Sequence, residues 1–435
     1  MPEARFTPTP TPTPTQPEGT APEHHGVVVI GGGQAGLSIS WHLTRLGLEH
    51  VVLDRETTGH EWRSGRWENF TLVTPNWQCQ LPGYSYAGDD PDGFMPREDV
   101  HDFVRGYAAS FGAPVRERVA VTSLRQEPGR TGFALSTTAG ELTADQVVIA
   151  TGGYHLPIVP TLAERLPADL HQIHSSEYKS SSQLPEGAVL VVGSGQSGAQ
   201  IAEDLHLEGR QVHLAVGGAP RVARFYRGRD CVAWLDDLGT YDVPVQAQPN
   251  GLAARDKTNH YVTGRDGGRD IDLRAFATQG MQLHGRVVGG SGHQLQLAPG
   301  LERSLDAADA VMEGIKDLID AHIERQGIVA PAEARYTPQW RPQSEHTELD
   351  LAAAGITSVV WCIGYRADYR WVQVGVFDGL GAVRHERGVT GVPGLYFLGL
   401  PWLHTWGSGR FAGVARDAEH LAEALASMAV ATTAA

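Results

Sequence analysis

The sequence predicts an α/β fold made of two Rossmann-type domains, one of which interrupts the other. A nearly identical hexapeptide occurs twice, as GGGQAG at residues 31–36 and as GSGQSG at residues 193–198. Each copy follows a short apolar run and precedes a stretch with helical spacing of apolar residues, which is the strand, turn and helix context of a dinucleotide-binding unit. Four glycines recur at a constant offset of 162 residues, and this regularity indicates a repeated βαβ unit.

The first glycine-rich turn, residues 31–36, is called the first cradle below. Glycines in such a turn permit the tight bend, the approach of backbone to a pyrophosphate and the packing of helix on strand. The next strand, HVVLD, ends in an aspartate about 20 residues onward, where a carboxylate accepts hydrogen bonds from an adenosine ribose. These features are typical of an FAD site. The predicted FAD contacts in this unit are Gly31, Gly33, Gln34, Ala35, Gly36, Asp54 and Arg55.

The second cradle, residues 193–198, differs from the first at the end of the following strand. The position equivalent to Asp54 is Val216, so the ribose-binding acid is absent. The chain continues as GGAPRVARFYRGRD, which places Arg221 and Arg224 just beyond the expected position of a 2′-phosphate. The loss of a carboxylate and the gain of guanidinium groups favour NADPH over NADH. The other predicted NADPH contacts are Gly193, Gly195, Gln196, Ser197 and Gly198.

The segments around the cradles divide the chain into four parts. Residues 1–25 are a Thr/Pro-rich tail that we expect to be disordered, and residues 26–160 are the first part of the FAD-binding domain. Residues 161–345 are the NADPH-binding domain with a helical insertion. Residues 346–435 are assigned to the second part of the FAD-binding domain, because their apolar strands have no cradle of their own. MPREDVHDFVRGYAASFG and SLDAADAVMEGIKDLIDAHIERQG predict amphipathic helices.

The charge and the apolar content of the chain exclude some classes of binding partner. The 435-residue chain has a formal net charge of -15, which opposes binding to nucleic acid or anionic lipid, and its apolar runs are far shorter than the roughly 20 residues of a membrane span. The three cysteines, Cys79, Cys231 and Cys362, are too far apart for a CxxC pair, and the histidines show no metal-ligand spacing. We therefore expect a cytoplasmic protein with a small-molecule substrate and without a metal, for which a homodimer is plausible.

With these motifs in place, residues 26–425 resemble the flavin-containing monooxygenase family. LPADLHQIHSSEY carries His174 and Tyr178 at the spacing of the motif that precedes the family's second cradle, although the phenylalanine and glycine that begin this motif are absent. Related Baeyer-Villiger enzymes carry tryptophan where Tyr178 stands, which disfavours ketone oxygenation.

Three further segments carry the resemblance. VVIATGGY and, more loosely, VVWCIGY are similar to the family's strand that ends in ATGY, and HEWRSGRWENFTLVTPNWQCQLPGY is similar to its segment beside the flavin. The glycine-rich start of the last helix would face the flavin edge. The resemblance assigns Trp62, Arg63, Thr151, Gly152, Gly364 and Gly407 to cofactor binding, and it assigns Asn76 and Gln80 to catalysis beside the oxygenated flavin.

The resemblance also implies a reaction. In the family, NADPH reduces FAD, O₂ adds at flavin C4a, and the hydroperoxide passes oxygen to a nitrogen or sulfur nucleophile of a small metabolite. The flavin supplies the difficult chemistry, so no catalytic triad is expected. An NADPH-dependent flavin reductase or oxidase, which passes electrons to a partner or makes H₂O₂, is the alternative. A nucleotide-binding redox sensor is a more remote alternative.

Overall fold

Each glycine-rich turn follows the central strand of its own parallel sheet. In the computed structural model, which describes residues 22–126, 132–256 and 258–433, the strand before the first cradle is Glu23–Ile30 and the strand before the second is Ala188–Val192. The residues next to each cradle are buried apolar side chains, as expected for parallel strands that are covered on both faces. The repeated βαβ unit predicted from the glycine spacing is confirmed.

Five parallel strands form the centre of the first sheet. Glu23–Ile30 pairs with His50–Leu53 on one side and with Gly140–Ile149 on the other. His50–Leu53 then pairs with Val115–Arg116, and the end of Gly140–Ile149 pairs with Leu395–Phe397. The strands that extend this sheet beyond its parallel centre are Val121–Arg125, Phe133–Thr137, Val372–Gln373, His385–Glu386 and Val389–Thr390.

The second sheet repeats this arrangement with five strands that are all parallel. Ala188–Val192 pairs with Val212–Ala215 on one side and with Ile356–Trp361 on the other. The outer strands are Gln282–His284 and His171–His174. The cradle strand is therefore central in both sheets, and the carboxyl ends of its neighbours surround each glycine-rich turn.

The position of Ile356–Trp361 corrects the expected domain division. We expected residues 346–435 to return to the first domain, but this strand lies inside the second sheet, between His171–His174 and Ala188–Val192. A short buried run of apolar residues has the same sequence pattern in either sheet, so the pattern does not identify its neighbours. We therefore propose that the chain re-enters the first domain near residue 365 and not near residue 346.

The two passages between the sheets pair with each other. Leu156–Pro157 and Tyr365–Arg366 form a two-stranded antiparallel ribbon, called the crossover ribbon below. His174 is buried at the end of its strand, and its Nε2 lies 3.1 Å from the carbonyl oxygen of Gly364. Burial lowers the pKa of His174, which favours the neutral imidazole in this contact. The histidine of the family motif thus connects the second sheet to the crossover ribbon.

The amino-terminal boundary also differs from the expectation. Residues 1–21, which make up most of the expected Thr/Pro-rich tail, lie outside the described residues. The first strand already begins at Glu23, and the ring Nδ1 of His24 lies 3.0 Å from the hydroxyl of Thr143 on the neighbouring strand. The boundary at residue 25 is therefore wrong by a few residues, because the polar start of the strand resembles the end of a tail.

Helices cover the faces of both sheets. Both predicted amphipathic helices are confirmed, and the predicted apolar positions of the longer one are buried, from Leu305 to Ile323. No helix in the described ranges is long and apolar enough to cross a membrane. The α-helices are Gln34–Arg45, His60–Ser64, Arg97–Ser110, Gln196–Leu207, Cys231–Asp237, Leu273–Thr278, Leu301–Gln326 and Val414–Thr433.

Short strands complete the fold. A three-stranded antiparallel sheet lies beside the second sheet, and two small hairpins lie in the connecting segments. The three-stranded sheet consists of Val287–Ser291, Gln294–Leu297 and Glu348–Asp350, and the hairpins pair Gln80–Leu81 with Tyr84–Ser85 and Phe225–Tyr226 with Arg229–Asp230.

Candidate functional site

The first cradle has the close backbone packing that requires glycine. Gly31 has φ +111°, and a Cβ there would lie 2.6 Å from the carbonyl oxygen of Ala150. A Cβ at Gly36 would collide with the carbonyl oxygen of Gly31, so only glycine lets the helix approach the strand this closely. A Cβ at Gly33, in contrast, would meet no protein atom within 4 Å. The middle glycine therefore faces open space, where a ligand is able to approach the backbone.

Both cradle helices begin without the groups that usually satisfy a helix N-terminus. The N-cap residues are Gly33 and Gly195, neither helix has a side-chain cap, and neither has an acidic residue in its first turn. The first amides of a helix lack partners within the helix and carry partial positive charge. These amides are thus free to bind an anionic group, and both cradles fit the pyrophosphate of a dinucleotide.

Asp54 occupies the predicted position at the end of the second strand of the first sheet. Its Oδ2 accepts a hydrogen bond from the amide of Gly32 at 2.6 Å, and its Oδ1 accepts one from the amide of Glu56 at 2.8 Å. Burial raises the pKa of Asp54, and these two hydrogen bonds act in the opposite direction. Each carboxylate oxygen has a further lone pair, so the side chain fits the ribose hydroxyls of FAD.

The second cradle has an equivalent hydrogen bond between the turn and the strand end, but here the amide donor is at the strand end and the accepting side chain is in the turn. Ser194, which is offset by 162 residues from Gly32, accepts a hydrogen bond through its Oγ from the amide of Gly217 at 2.9 Å. In the first cradle the side chain comes from the strand end, and in the second it comes from the cradle. The strand end at Val216 and Gly217 therefore carries no negative charge, which suits a phosphorylated ribose.

Backbone packing at the second cradle repeats that of the first. A Cβ at Gly193 would lie 2.6 Å from the carbonyl oxygen of Cys362, and a Cβ at Gly198 would collide with the carbonyl oxygen of Gly193. The neighbouring Gln196 donates from Nε2 to the carbonyl oxygen of Val262 at 2.6 Å. Cys362 thus plays the part that Ala150 plays in the first sheet, and Gly364 corresponds to Gly152, with positive φ at both glycines.

Several predicted FAD contacts come together beside the first cradle. The Nε1 of Trp62 lies 3.3 Å from Oε1 of Gln34, whose Nε2 donates to the carbonyl oxygen of Gly409 at 3.1 Å. Trp62 also stacks on Phe411, with ring centroids 5.4 Å apart. The structure therefore brings Trp62 and the loop of residues 407–413, which includes Gly407, to the N-terminus of the first cradle helix, as the resemblance implies.

Three other predicted residues lie away from this cluster. Arg55 is exposed and pairs with Glu61, and Arg63 is exposed and pairs with Glu98. Gln80 is exposed on a hairpin strand and donates from Nε2 to the carbonyl oxygen of its neighbour Trp77. These placements argue against cofactor contacts for the two arginines and against a catalytic role for Gln80, because their polar groups point to solvent.

Asn76 is buried at the start of a short 3₁₀ helix, but its amide is already bonded. Its Nδ2 donates to the carbonyl oxygen of Asp90, and its Oδ1 accepts from the amide of Met95, each at 2.9 Å. This bonding favours a structural role, in which Asn76 holds the loop of residues 90–95, over contact with an oxygenated flavin. Gln78, two residues later, instead reaches the second domain, with Nε2 3.4 Å from Oδ1 of Asp236.

The surroundings of Arg221 and Arg224 argue against their predicted role as ligands of a 2′-phosphate. Arg221 is only 3% exposed, its Nε lies 2.7 Å from Oδ1 of Asp309, and its guanidinium lies 4.2 Å from the ring centroid of Tyr336. Arg224 is only 1% exposed and forms an ion pair with Asp230. Both guanidinium groups are buried and neutralised by carboxylates, so neither is presented to a phosphate. The spacing in the sequence places both arginines after the second cradle, but it does not show which carboxylates they contact.

The three cysteines do not form a redox pair. Cys79, Cys231 and Cys362 are all buried free thiols, and burial raises the pKa of each thiol. A thiol that reduces a disulfide substrate must reach the thiolate form and be accessible. The site is therefore unsuited to the thiol chemistry of disulfide reductases.

Residues 236–247, called the covering segment below, pack on the loop that precedes the last helix. Tyr241 stacks on Trp406 with ring centroids 4.5 Å apart, and the amide of Val245 donates to the carbonyl oxygen of His404 at 2.7 Å. The covering segment belongs to the insertion in the second domain, whereas the loop belongs to the first. The contact thus lies where the two domains meet, and this region, called the crevice below, is where ligands of doubly wound folds are commonly bound.

Sequence reasoning did not identify Arg410 as a site residue. Its guanidinium lies 3.9 Å from the ring centroid of Trp406, in the loop beside the first cradle. The only signal in the sequence is an arginine within the glycine-rich segment GSGRFAG. Whether such an arginine has an acidic partner depends on residues far along the chain, and the motif does not show this.

Comparison with known proteins agrees with this geometry. The family model described as pyridine nucleotide-disulphide oxidoreductase matches residues 28–234. A protein of Geobacillus kaustophilus described as an uncharacterized CzcO-like oxidoreductase is 31% identical over 401 residues, which cover 91% of this chain and 96% of that protein. The indole-3-pyruvate monooxygenase YUCCA1 of Oryza sativa is 28% identical over 193 residues, or 44% of this chain and 47% of that protein.

A solved structure shows the same fold over nearly the whole chain. The flavin-containing monooxygenase from Stenotrophomonas maltophilia superposes with a TM-score of 0.64 at 19% sequence identity, covering 94% of this chain and 99% of that chain. The two-domain architecture predicted from the cradles is thus confirmed at the level of fold.

Proposed function

The chain belongs to the CzcO-like oxidoreductases, and we propose that it is an NADPH- and O₂-dependent monooxygenase that oxygenates a nitrogen or sulfur atom of a small metabolite. FAD, when bound, supplies the reaction with O₂ after reduction by NADPH. The remaining roles belong to the chain, which must bind two dinucleotides, orient them and exclude water.

The observation that carries this proposal is the pair of open cradles on two sheets that the crossover ribbon connects. Each cradle has uncapped helix amides, and each lies at the carboxyl end of a central strand. One cradle alone would suit many nucleotide-binding proteins. Two cradles in one chain supply a site for a resident flavin nucleotide and a site for a hydride donor, and this favours an enzyme over a sensor that binds one nucleotide.

The chain's residues divide this work in a simple way. The amides after Gly33 bind the pyrophosphate of FAD, and Asp54 binds its adenosine ribose. The amides after Gly195 bind the pyrophosphate of NADPH, and the uncharged strand end at Gly217 accommodates its phosphorylated ribose. The covering segment excludes water from the crevice, and this exclusion limits side reactions of reactive intermediates.

The choice between a monooxygenase and an oxidase depends on where the oxygen atom goes. The FAD-loaded protein is supplied with NADPH and ¹⁸O₂, together with probe compounds that contain a tertiary amine, a primary amine or a thioether. We expect at least one probe to gain one ¹⁸O atom by mass spectrometry, with less H₂O₂ formed than NADPH consumed. Equal amounts of NADPH consumed and H₂O₂ formed with every probe would identify an oxidase and overturn the proposal.

A further inference from the structure

A rigid loop holds Arg410 beside the first cradle. The amide of Arg410 donates to the carbonyl oxygen of Gly407 at 3.0 Å, and the carbonyl oxygen of Arg410 accepts from the amides of Gly413 and Val414. A Cβ at Gly409 would lie 2.5 Å from the carbonyl oxygen of Gly399, so the loop lies directly against the end of the first sheet. The backbone of Arg410 is therefore fixed at the mouth of the FAD site.

Aromatic groups fix the direction of its side chain. The guanidinium lies over Trp406 and donates from Nη1 to the carbonyl oxygen of that residue. Tyr241 of the covering segment stacks on the same ring, and the Nε1 of Trp406 lies 3.2 Å from Oδ1 of Asn259. Both domains thus contribute to the support that orients the guanidinium.

Arg410 lacks the acidic partner that its neighbours have. Nearby, Arg416 forms an ion pair with Asp242, and Arg387 lies 3.6 Å from a carboxylate oxygen of Asp417. Among residues 22–126, 132–256 and 258–433, no carboxylate lies within ion-pair distance of Arg410. A guanidinium has five N–H donors, and the structure gives Arg410 one protein acceptor, so most of its hydrogen-bonding capacity is available to a ligand.

The guanidinium of Arg410 is only partly buried, so an anion can reach it from outside. Burial lowers the pKa of Arg410, and the neighbouring groups that oppose this shift are the phenols of Tyr154 and Tyr241. Charges removed from water are normally paired in folded proteins. A cation that both domains hold in place, without a carboxylate of the described residues beside it, is suited to bind an anion that enters from outside.

We propose that Arg410 forms a carboxylate-binding subsite in the crevice and that the substrate is therefore a small organic acid. This inference rests on the proposed function, because it assigns the substrate of the same site. A guanidinium binds a carboxylate through two parallel hydrogen bonds. The phosphates of both dinucleotides have their own amide donors in the cradles, so they do not need this side chain.

The test measures binding without turnover. FAD-loaded protein, without NADPH, is studied by equilibrium dialysis with two matched pairs of probes, benzoate against benzamide and 3-phenylpropanoate against 3-phenylpropanamide. We expect the wild-type protein to bind at least one acid tenfold or more tightly than its amide. Arg410→Gln should reduce this preference to within twofold, and Arg410→Lys, which keeps the charge, should retain part of it. Arg370→Gln, which removes an exposed arginine far from the loop, should leave it unchanged.

Three results would overturn the subsite. The first is a wild-type protein that prefers neither acid over its amide, and the second is an Arg410→Gln variant that keeps a tenfold preference. The third is an Arg410→Gln variant that folds but no longer retains FAD, since the guanidinium would then serve the cofactor. The dialysis does not depend on reaction with O₂, so its failure would overturn the subsite alone. The ¹⁸O experiment does not depend on Arg410, so its failure would overturn the proposed monooxygenase activity.

Discussion

Replacement of Arg221 by methionine distinguishes a coenzyme-binding arginine from a structural one. An arginine that contacts the 2′-phosphate contributes charge-assisted hydrogen bonds of about 1.5–3 kcal/mol, which correspond to roughly 10- to 150-fold in affinity for NADPH. The structure predicts no such loss, because the guanidinium is buried against Asp309 and Tyr336. We expect the ratio of kcat/KM for NADPH and NADH to change by less than about twofold in Arg221→Met.

The same substitution should reduce stability. Removing one partner of a buried ion pair typically costs about 3–5 kcal/mol, because the other charge is left without a partner. Here the loss is smaller, since Asp309 keeps an ion pair with Arg274 at 2.9 Å. Asp272, whose Oδ2 lies 3.8 Å from Nη1 of Arg221, keeps its hydrogen bonds to backbone amides. We therefore expect a decrease of about 3 kcal/mol in the free energy of unfolding, at the lower end of that range.

Two measurements on the same samples check this prediction. Guanidinium chloride unfolding, followed by tryptophan fluorescence, gives the stability, and initial rates with NADPH and NADH give the coenzyme preference. Arg229→Met is the matched control, because Arg229 lies in the same segment but pairs with Asp237 at the surface, where a pair contributes about 0–1 kcal/mol. A tenfold loss of NADPH preference in Arg221→Met with unchanged stability would refute the structural role.

Three further predictions follow from named contacts. Gly36→Ala should prevent stable folding because its Cβ collides with backbone, whereas Gly33→Ala should fold normally, as measured by circular dichroism, and lose FAD, as measured by flavin absorbance; a folded Gly36→Ala variant or a Gly33→Ala variant that retains FAD would contradict the cradle geometry. Burial lowers the pKa of His284 to about 4, so the unfolded state binds more protons between pH 6.5 and 4; this histidine should contribute about 3 kcal/mol to the fall in unfolding free energy across that range, and His284→Gln should reduce the fall by about that amount. Tyr178→Phe removes a 2.6 Å hydrogen bond to Asp204, and it should cost about 1–3 kcal/mol of stability while NADPH oxidation per bound FAD stays within about twofold.

The two cradles could be predicted from the sequence because they depend on close packing of the backbone. The cradles are local, because Gly31 and Gly36 are needed where a Cβ would meet the chain itself within a few residues or on an adjacent strand. Such requirements appear directly as glycines at fixed spacing. The same logic predicted the end of the second strand, where Asp54 follows a buried run and reaches the amide of Gly32.

The features that depend on distant partners were missed. Arg221 lies at the position expected of a phosphate ligand, but its partner Asp309 is on a helix that begins 80 residues later. For Arg410 the reverse holds, because the lack of a carboxylate partner among the described residues can be recognised only from the folded structure. The strand Ile356–Trp361 was assigned to the wrong sheet for the same reason, since its apolar pattern does not identify its neighbours.

The reversed link at the two cradles explains how one repeated unit is able to serve two ligands. Both units need a contact between the turn and the end of the next strand, because this contact fixes the shape of the cradle. In the first unit a carboxylate at the strand end makes it, through Asp54 and the amide of Gly32, and that carboxylate also suits a ribose hydroxyl. In the second unit the hydroxyl of Ser194 makes it with the amide of Gly217, so the cradle keeps its shape without placing a negative charge beside the ribose. We therefore propose that selectivity for a phosphorylated ribose begins with a neutral strand end and does not require either buried arginine.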